Sequence, residues 1–192
     1  NPGERFLGAV VGPYANRIAG GTYAIGEEVY NFPQNNNGQT LHGGLKGLDM
    51  VVWDVDTVTA NSIVLSYLRP DGQDGMPGNL KIVMTYTLTP ENEFRVDYLA
   101  ETDKATHVNI SHHSFFNLKG EGKGTINDHV LYINASKTTP VDAVLIPTGE
   151  IVEVEGTPFD FRQPKAIETD LYVENEQLKN GAGYDHNWVL DR

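Results

Sequence analysis

The chain contains no cysteine. Disulfides, thiolate metal sites and a cysteine nucleophile are therefore excluded, although the compartment is not fixed by that absence. Basic charge is scarce: 14 Lys and Arg stand against 26 Asp and Glu, for a net charge of −12. Such a field repels polyanions, so no nucleic-acid partner is expected. No apolar run approaches the roughly 18 residues of a membrane span, so no membrane partner is expected either. Helical periodicity is nearly missing, with a weak case only over 170–180, resting on Leu171 and Leu178. The chain opens Asn1-Pro2-Gly3, without an initiator Met or a signal-peptide pattern. Its last apolar run, 187–190, reads as the start of a strand, so truncation at one or both ends is the expectation.

What is present is a globular composition with strand-period patterning. The 192 residues are 39% hydrophobic and 21% charged, which suits one domain or a piece of a larger one. Ile82, Met84, Tyr86 and Leu88 alternate with Val83, Thr85 and Thr87, while Phe94, Val96 and Tyr98 alternate with Arg95 and Asp97. With Thr89-Pro90-Glu91-Asn92 between them, 81–100 reads as a β-hairpin. A similar pair, 51–59 and 62–68, flanks Ala60-Asn61, and 106–117, 129–135 and 150–155 add β-rich segments. Twenty Gly and ten Pro punctuate these runs. The fold class expected is all-β, an antiparallel sandwich or barrel. The stretch 31–44 is polar and rich in Gly and Asn, hence a long loop.

Six histidines carry most of the candidate chemistry. His42 closes the Asn/Gly loop and precedes Gly43-Gly44, where backbone can turn sharply and a ligand can approach. His112 and His113 are adjacent in an extended segment, so they face opposite ways and only one can enter a given pocket. A zinc site would need His42, one of that pair and Asp185 to converge, and no His-x-His or His-Glu-x-x-His spacing supports it. Ser111 and Ser114 lie on strand-like sequence without a Gly-x-Ser-x-Gly elbow, which argues against a serine hydrolase. Arg17 offers a planar fork of donors, or is a surface residue of a turn. Asp185, flanked by aromatic and apolar residues, is expected to be partly buried and to need donors, from ligand hydroxyls or from backbone amides.

Several segments, in order, carry a resemblance: 12–21 (GPYANRIAGG), 36–44 (NNGQTLHGG) with Trp53 after it, 71–80 (DGQDGMPGNL), 109–118 (NISHHSFFNL), 139–161 (TPVDAVLIPTGEIVEVEGTPFDF) and 183–190 (GYDHNWVL). Together they resemble the aldose 1-epimerase (galactose mutarotase) family. The resemblance implies a large, mostly antiparallel β-sandwich, of which 1–192 would be the N-terminal and central part of one longer domain. It implies interconversion of the α and β anomers of free hexoses, with no cofactor, no metal and a monosaccharide as partner; the location expected is cytoplasmic.

The resemblance also assigns roles. His113 corresponds to the family's second active-site His and would be the general acid toward the ring oxygen. His42 corresponds to the first, and would orient the ring oxygen or a neighbouring hydroxyl. Arg17, with Asn16 beside it, and Asp185 would bind sugar hydroxyls. His112 falls where Asn is usual. Pro13, Met76 and Phe115 depart from the family's common basic, aromatic and Tyr residues, which bears on sugar preference. The family's base is a Glu well downstream of the position matching Asp185, so the base is expected to be missing from this chain; Glu150, Glu153 and Glu155 belong to another segment. Two alternatives stay open: a hexose-6-phosphate 1-epimerase, against which the charge of −12 argues, and a non-catalytic carbohydrate-binding module on the same fold.

Overall fold

The computed structural model describes residues 5–192; residues 1–4, the segment with which the chain opens, lie outside the described residues. The chain divides into two compact units, Asn1–Phe115 and Phe116–Arg192. The described residues hold fifteen strands, four 3₁₀ turns and a single short α-helix, and every strand ladder is antiparallel. No described helix is long and apolar enough to cross a membrane.

The first unit is organised by a four-stranded meander: β6 (Asp54–Val58), β7 (Ser62–Arg69), β8 (Leu80–Leu88) and β9 (Phe94–Thr102), following β1 (Val10–Val11), β2 (Arg17–Ile18), β3 (Thr22–Ile25), β4 (Glu28–Asn31) and β5 (Thr40–Leu41). The period-2 pattern sets its register: Leu80, Ile82 and Met84 are buried on one face, with Lys81 exposed between them. That face packs with Val10 and Leu48, and with Trp53, Leu65, Tyr67, Val96, Tyr98 and Ile110. Each fully buried aliphatic side chain contributes roughly 1.5–3 kcal/mol. A one-residue slip would turn the whole set to the other face, which is why the β8–β9 register runs unbroken from Leu80↔Thr102 to Leu88↔Phe94.

Three short pairings build the rest of this unit. β1 pairs with β10 (Ser111–His112), β2 pairs with β5, and β3 with β4. A second core of Ile18, Phe32 and Met76 lies beneath Tyr14, Tyr23 and Tyr30. Met76 is only 1% exposed, so the residue that stands in place of the family's aromatic is a core side chain.

Several segments read as strands are shorter than expected. Within 51–59 the strand begins only at Asp54, and within 106–117 only Ser111–His112 is a strand. The reason is local: the β1–β10 register, continued, would reach Pro13, which has no N–H to extend a ladder, and Asn109 forms an isolated parallel bridge with Tyr14. Asn109 instead donates to the Pro13 carbonyl at 2.6 Å and accepts from Ala15 N–H at 2.8 Å.

In the second unit, β11 (Val130–Leu131) pairs with β14 (Lys165–Ala166), and β12 (Lys137–Thr139) lies between β13 (Val152–Glu153) and β15 (Asn187–Val189). Val154, Phe159 and Leu178 form its core with Tyr184 and Trp188. The helical tendency over 170–180 resolves to α1 (Glu176–Asn180). It starts there because the Asn175 side chain caps it, accepting from the N–H groups of Gln177 and Leu178.

One ion pair of this unit makes an acid-stability prediction. Asp160 accepts from Arg162 Nε at 2.9 Å, from Nη2 at 2.7 Å and from the Arg162 N–H at 3.2 Å. These bonds, the guanidinium's foremost, hold its carboxyl from 3.8 down to about 2. The folded value lies below the unfolded one, so the stabilisation is present above about pH 4 and is lost as pH falls toward about 2. Urea midpoints measured across that window should fall less steeply for Asp160→Asn than for the native chain; equal slopes would contradict the assignment.

Candidate active site

The 12–21, 36–44 and 109–113 segments, far apart in sequence, meet in the first unit. β2–β5 pairing sets Arg17 opposite Leu41, and the next residue, His42, donates its N–H to the Asn16 carbonyl at 3.1 Å. Asn16 returns its own N–H to His42 Nδ1 at 3.0 Å. Nδ1 is therefore the acceptor, and the neutral ring carries its proton on Nε2. His42 has φ 51°, a left-handed conformation in which His is among the enriched non-glycine residues. Gly43 follows because nothing larger fits: a Cβ there would lie 2.0 Å from the Gly12 carbonyl oxygen.

His113 reaches the same place from the other direction. It continues the β1–β10 pairing, donating its N–H to Ala9 O at 2.8 Å and accepting from Gly8 N–H at 2.9 Å. Its ring stands perpendicular to that of His42, with centroids 5.2 Å apart. Phe115 flanks it at 4.9 Å, and Phe6 touches both rings, at 4.6 Å from His42 and 5.9 Å from His113. Phe6 is itself covered by the Arg5 guanidinium, which forms a bidentate pair with Asp49.

His112 points the other way, as strand alternation requires. Its ring contacts Tyr86 and Phe94 and bonds Ser114 Oγ, and burial lowers its pKa. The two neighbouring histidines thus serve two different environments, one against Tyr86 and Phe94 of the sheet and one beside His42.

Arg17 is partly buried, and its Nε donates to Asn36 Oδ1 at 3.2 Å. It lines a cavity of about 220 Å³ together with Tyr14, Ile18, Ala19, Tyr23 and His107. The Asn16 side chain accepts from the Arg17 N–H at 2.8 Å and is exposed.

Asp185 belongs to the second unit. It is exposed rather than partly buried, because it follows Gly183 at φ 129° in a turn that carries the side chain outward beside His186. Burial lowers the pKa of His186, whose Nε2 meets Gln177 Oε1 at 3.2 Å. Glu153 and Glu155 are exposed and face Lys137 and Arg162. Among the described residues no group of three or more His, Asp and Glu could hold a metal ion.

Two features of this site had no sequence signal, and a third had only a weak one. Phe6 lies outside every motif. Asn35 reads as one of a run of loop asparagines, yet its Nδ2 donates to the carbonyls of Leu41 and Gly44, and its Oδ1 accepts from the Leu41 N–H. Asp74 reads as one more acidic loop residue; the only pointer to it was its place inside the 71–80 motif.

A family model described as aldose 1-epimerase matches residues 1–192. Galactose mutarotase of Sus scrofa is 44% identical over 187 residues, 97% of this chain and 53% of that protein. Aldose 1-epimerase of Escherichia coli strain K12 is 37% identical over 185 residues, 96% of this chain and 53% of that protein. The crystal structure of galactose 1-epimerase from Lactobacillus acidophilus NCFM superimposes with a TM-score of 0.89 at 36% identity, over 98% of this chain and 57% of that one. The chain spans about half the length of the curated relatives it matches. By the family match, by these identities and by its antiparallel all-β fold, the chain belongs to the aldose 1-epimerase family.

Proposed function

We propose that the protein interconverts the α and β anomers of free hexoses by acid/base opening and reclosure of the pyranose ring. The observation that carries this reading is the perpendicular His42–His113 pair, 5.2 Å between centroids, beside Asn16 and Arg17. Ring opening needs the anomeric hydroxyl to lose a proton while the C1–O5 bond breaks and the ring oxygen gains one. His113 supplies the proton to the ring oxygen. Its ring stands against that of His42, flanked by Phe6 and Phe115. His42, its Nδ1 engaged by the Asn16 N–H and its ring against that of His113, orients the ring oxygen or a neighbouring hydroxyl. Arg17 supplies a donor fork, with Asn16 beside it. The open aldehyde rotates about C1–C2, and reclosure returns each proton. Positioning and paired proton transfer are the catalytic devices, without a covalent intermediate or a cofactor.

The acceptor of the anomeric proton is a carboxylate placed outside residues 1–192, in the part of its relatives' length that this chain does not span. The reading accordingly takes 1–192 as part of one longer sandwich domain; its support is that the superposition takes in 98% of this chain but 57% of the Lactobacillus acidophilus one. Polarimetry on freshly dissolved α-galactose or α-glucose tests the proposal in the full-length protein. Rotation should reach equilibrium much faster than in buffer. Saturable sugar binding with unaccelerated rotation would replace the reading with that of a binding module.

A further inference from the structure

The 42–47 turn that carries His42 is gripped by a second loop. From the 3₁₀ turn Gln73–Gly75, Asp74 Oδ2 accepts the Lys46 N–H at 3.0 Å and Oδ1 accepts the Leu45 N–H at 3.3 Å. Gln73 adds a bond of the opposite sense, its Nε2 donating to the Lys46 carbonyl at 2.9 Å. A carboxylate suits this place, because successive N–H groups of a tight turn form a concave donor pair that favours an anion. Asp74 holds φ 52°, ψ 24°, a left-handed conformation that Asp tolerates better than most side chains.

The gripping loop is itself fixed. Gly75 is packed so closely that a Cβ would lie 2.1 Å from the Asn31 carbonyl oxygen. Arg69, 1% exposed, donates Nη1 to the carbonyls of Gln73 and Met76, and Nη2 to those of Pro77 and Gly78. The loop therefore offers Asp74 a stationary base, and the turn it holds is a short one. Gly44 N–H bonds Leu41 O at 3.1 Å across His42 itself. A shift at Leu45 and Lys46 is passed to His42 within a few bonds.

We propose that Asp74 is a positioning residue for His42, its carboxylate pinning the turn so that the His42 ring keeps Nδ1 on the Asn16 N–H and its place beside His113. The functional half of this inference rests on the reading of His42 as a sugar-contacting group. Without Asp74, the Leu45 and Lys46 N–H groups turn to water, the turn relaxes, and the ring loses its fixed partner.

Histidine ring ¹⁵N spectra of the full-length protein read this directly. The native His42 ring should appear as the single Nε2–H tautomer. Asp74→Ala should mix the tautomers at His42 and leave the His112 signals in place. It should also lower kcat/KM for anomer interconversion roughly 10- to 100-fold, the scale reached when a contact group is displaced by about 1 Å. Asp74→Asn keeps one acceptor oxygen and should fall between the two, and it carries the same readout if the alanine variant does not fold. A native His42 tautomer in a folded Asp74 variant would overturn the proposal. Mixed tautomers with undiminished interconversion would uphold the positioning and remove His42 from the sugar-contacting set.

Discussion

His113→Gln is expected to slow anomer interconversion in the full-length protein by roughly 10²- to 10⁴-fold, the usual worth of a positioned acid/base group. Glutamine keeps a hydrogen-bonding amide near the ring oxygen but cannot give up a proton and recover it. The loss should therefore appear mainly in kcat, with KM little changed, since an interaction made only in the transition state is removed. The fold around position 113 should persist. What holds the residue in place is backbone bonding to Gly8 and Ala9, not the ring. His112→Gln is the control. That ring packs on Tyr86 and Phe94, so its replacement should lower stability and leave the acid/base step in place. If the two variants exchanged these effects, the assignment of the neighbouring histidines would be reversed.

Arg69→Met is expected to cost about 3–5 kcal/mol of stability. The methionine is apolar and of similar reach, yet it strips the carbonyls of Pro77 and Gly78 of the donor that Arg69 supplies, and leaves those of Gln73 and Met76 with only the N–H groups of Met76 and Gly72. Buried acceptors stripped of partners cost more than the bonds themselves contributed. Arg69→Lys should rescue little, because a single ammonium with three donors cannot serve carbonyls set around a planar fork. Urea unfolding followed by Trp fluorescence measures both variants. A lysine variant as stable as the native protein would show that charge alone, rather than the fork, holds the 70–79 loop.

The long β8–β9 hairpin could be read directly, because each turn of the chain exposes Lys81 and buries Leu80 and Ile82, and alternation leaves no second register. The split between His112 and His113 was legible for the same reason. Arg69 was not. An arginine at the end of a strand ordinarily reaches water, and only the return of the 73–78 carbonyls onto its guanidinium, a tertiary event, explains its burial. Asp185 misled in the other direction. Its aromatic and apolar neighbours, Tyr184 and Trp188, do pack inward around Phe159, but the turn after Gly183 sends the carboxylate out. The short strands of 106–117, 129–135 and 150–155 were overestimated because β-favouring composition says nothing about whether a partner strand continues opposite.

The central claim is that His42 and His113 together face the ring of a bound hexose. Titration of the full-length protein with galactose, followed by histidine ring ¹⁵N shifts, tests it most directly. The account predicts that the His42 and His113 signals move together and saturate with the sugar, while those of His112 stay in place. Saturable binding of galactose with the His42 and His113 signals unmoved would contradict it.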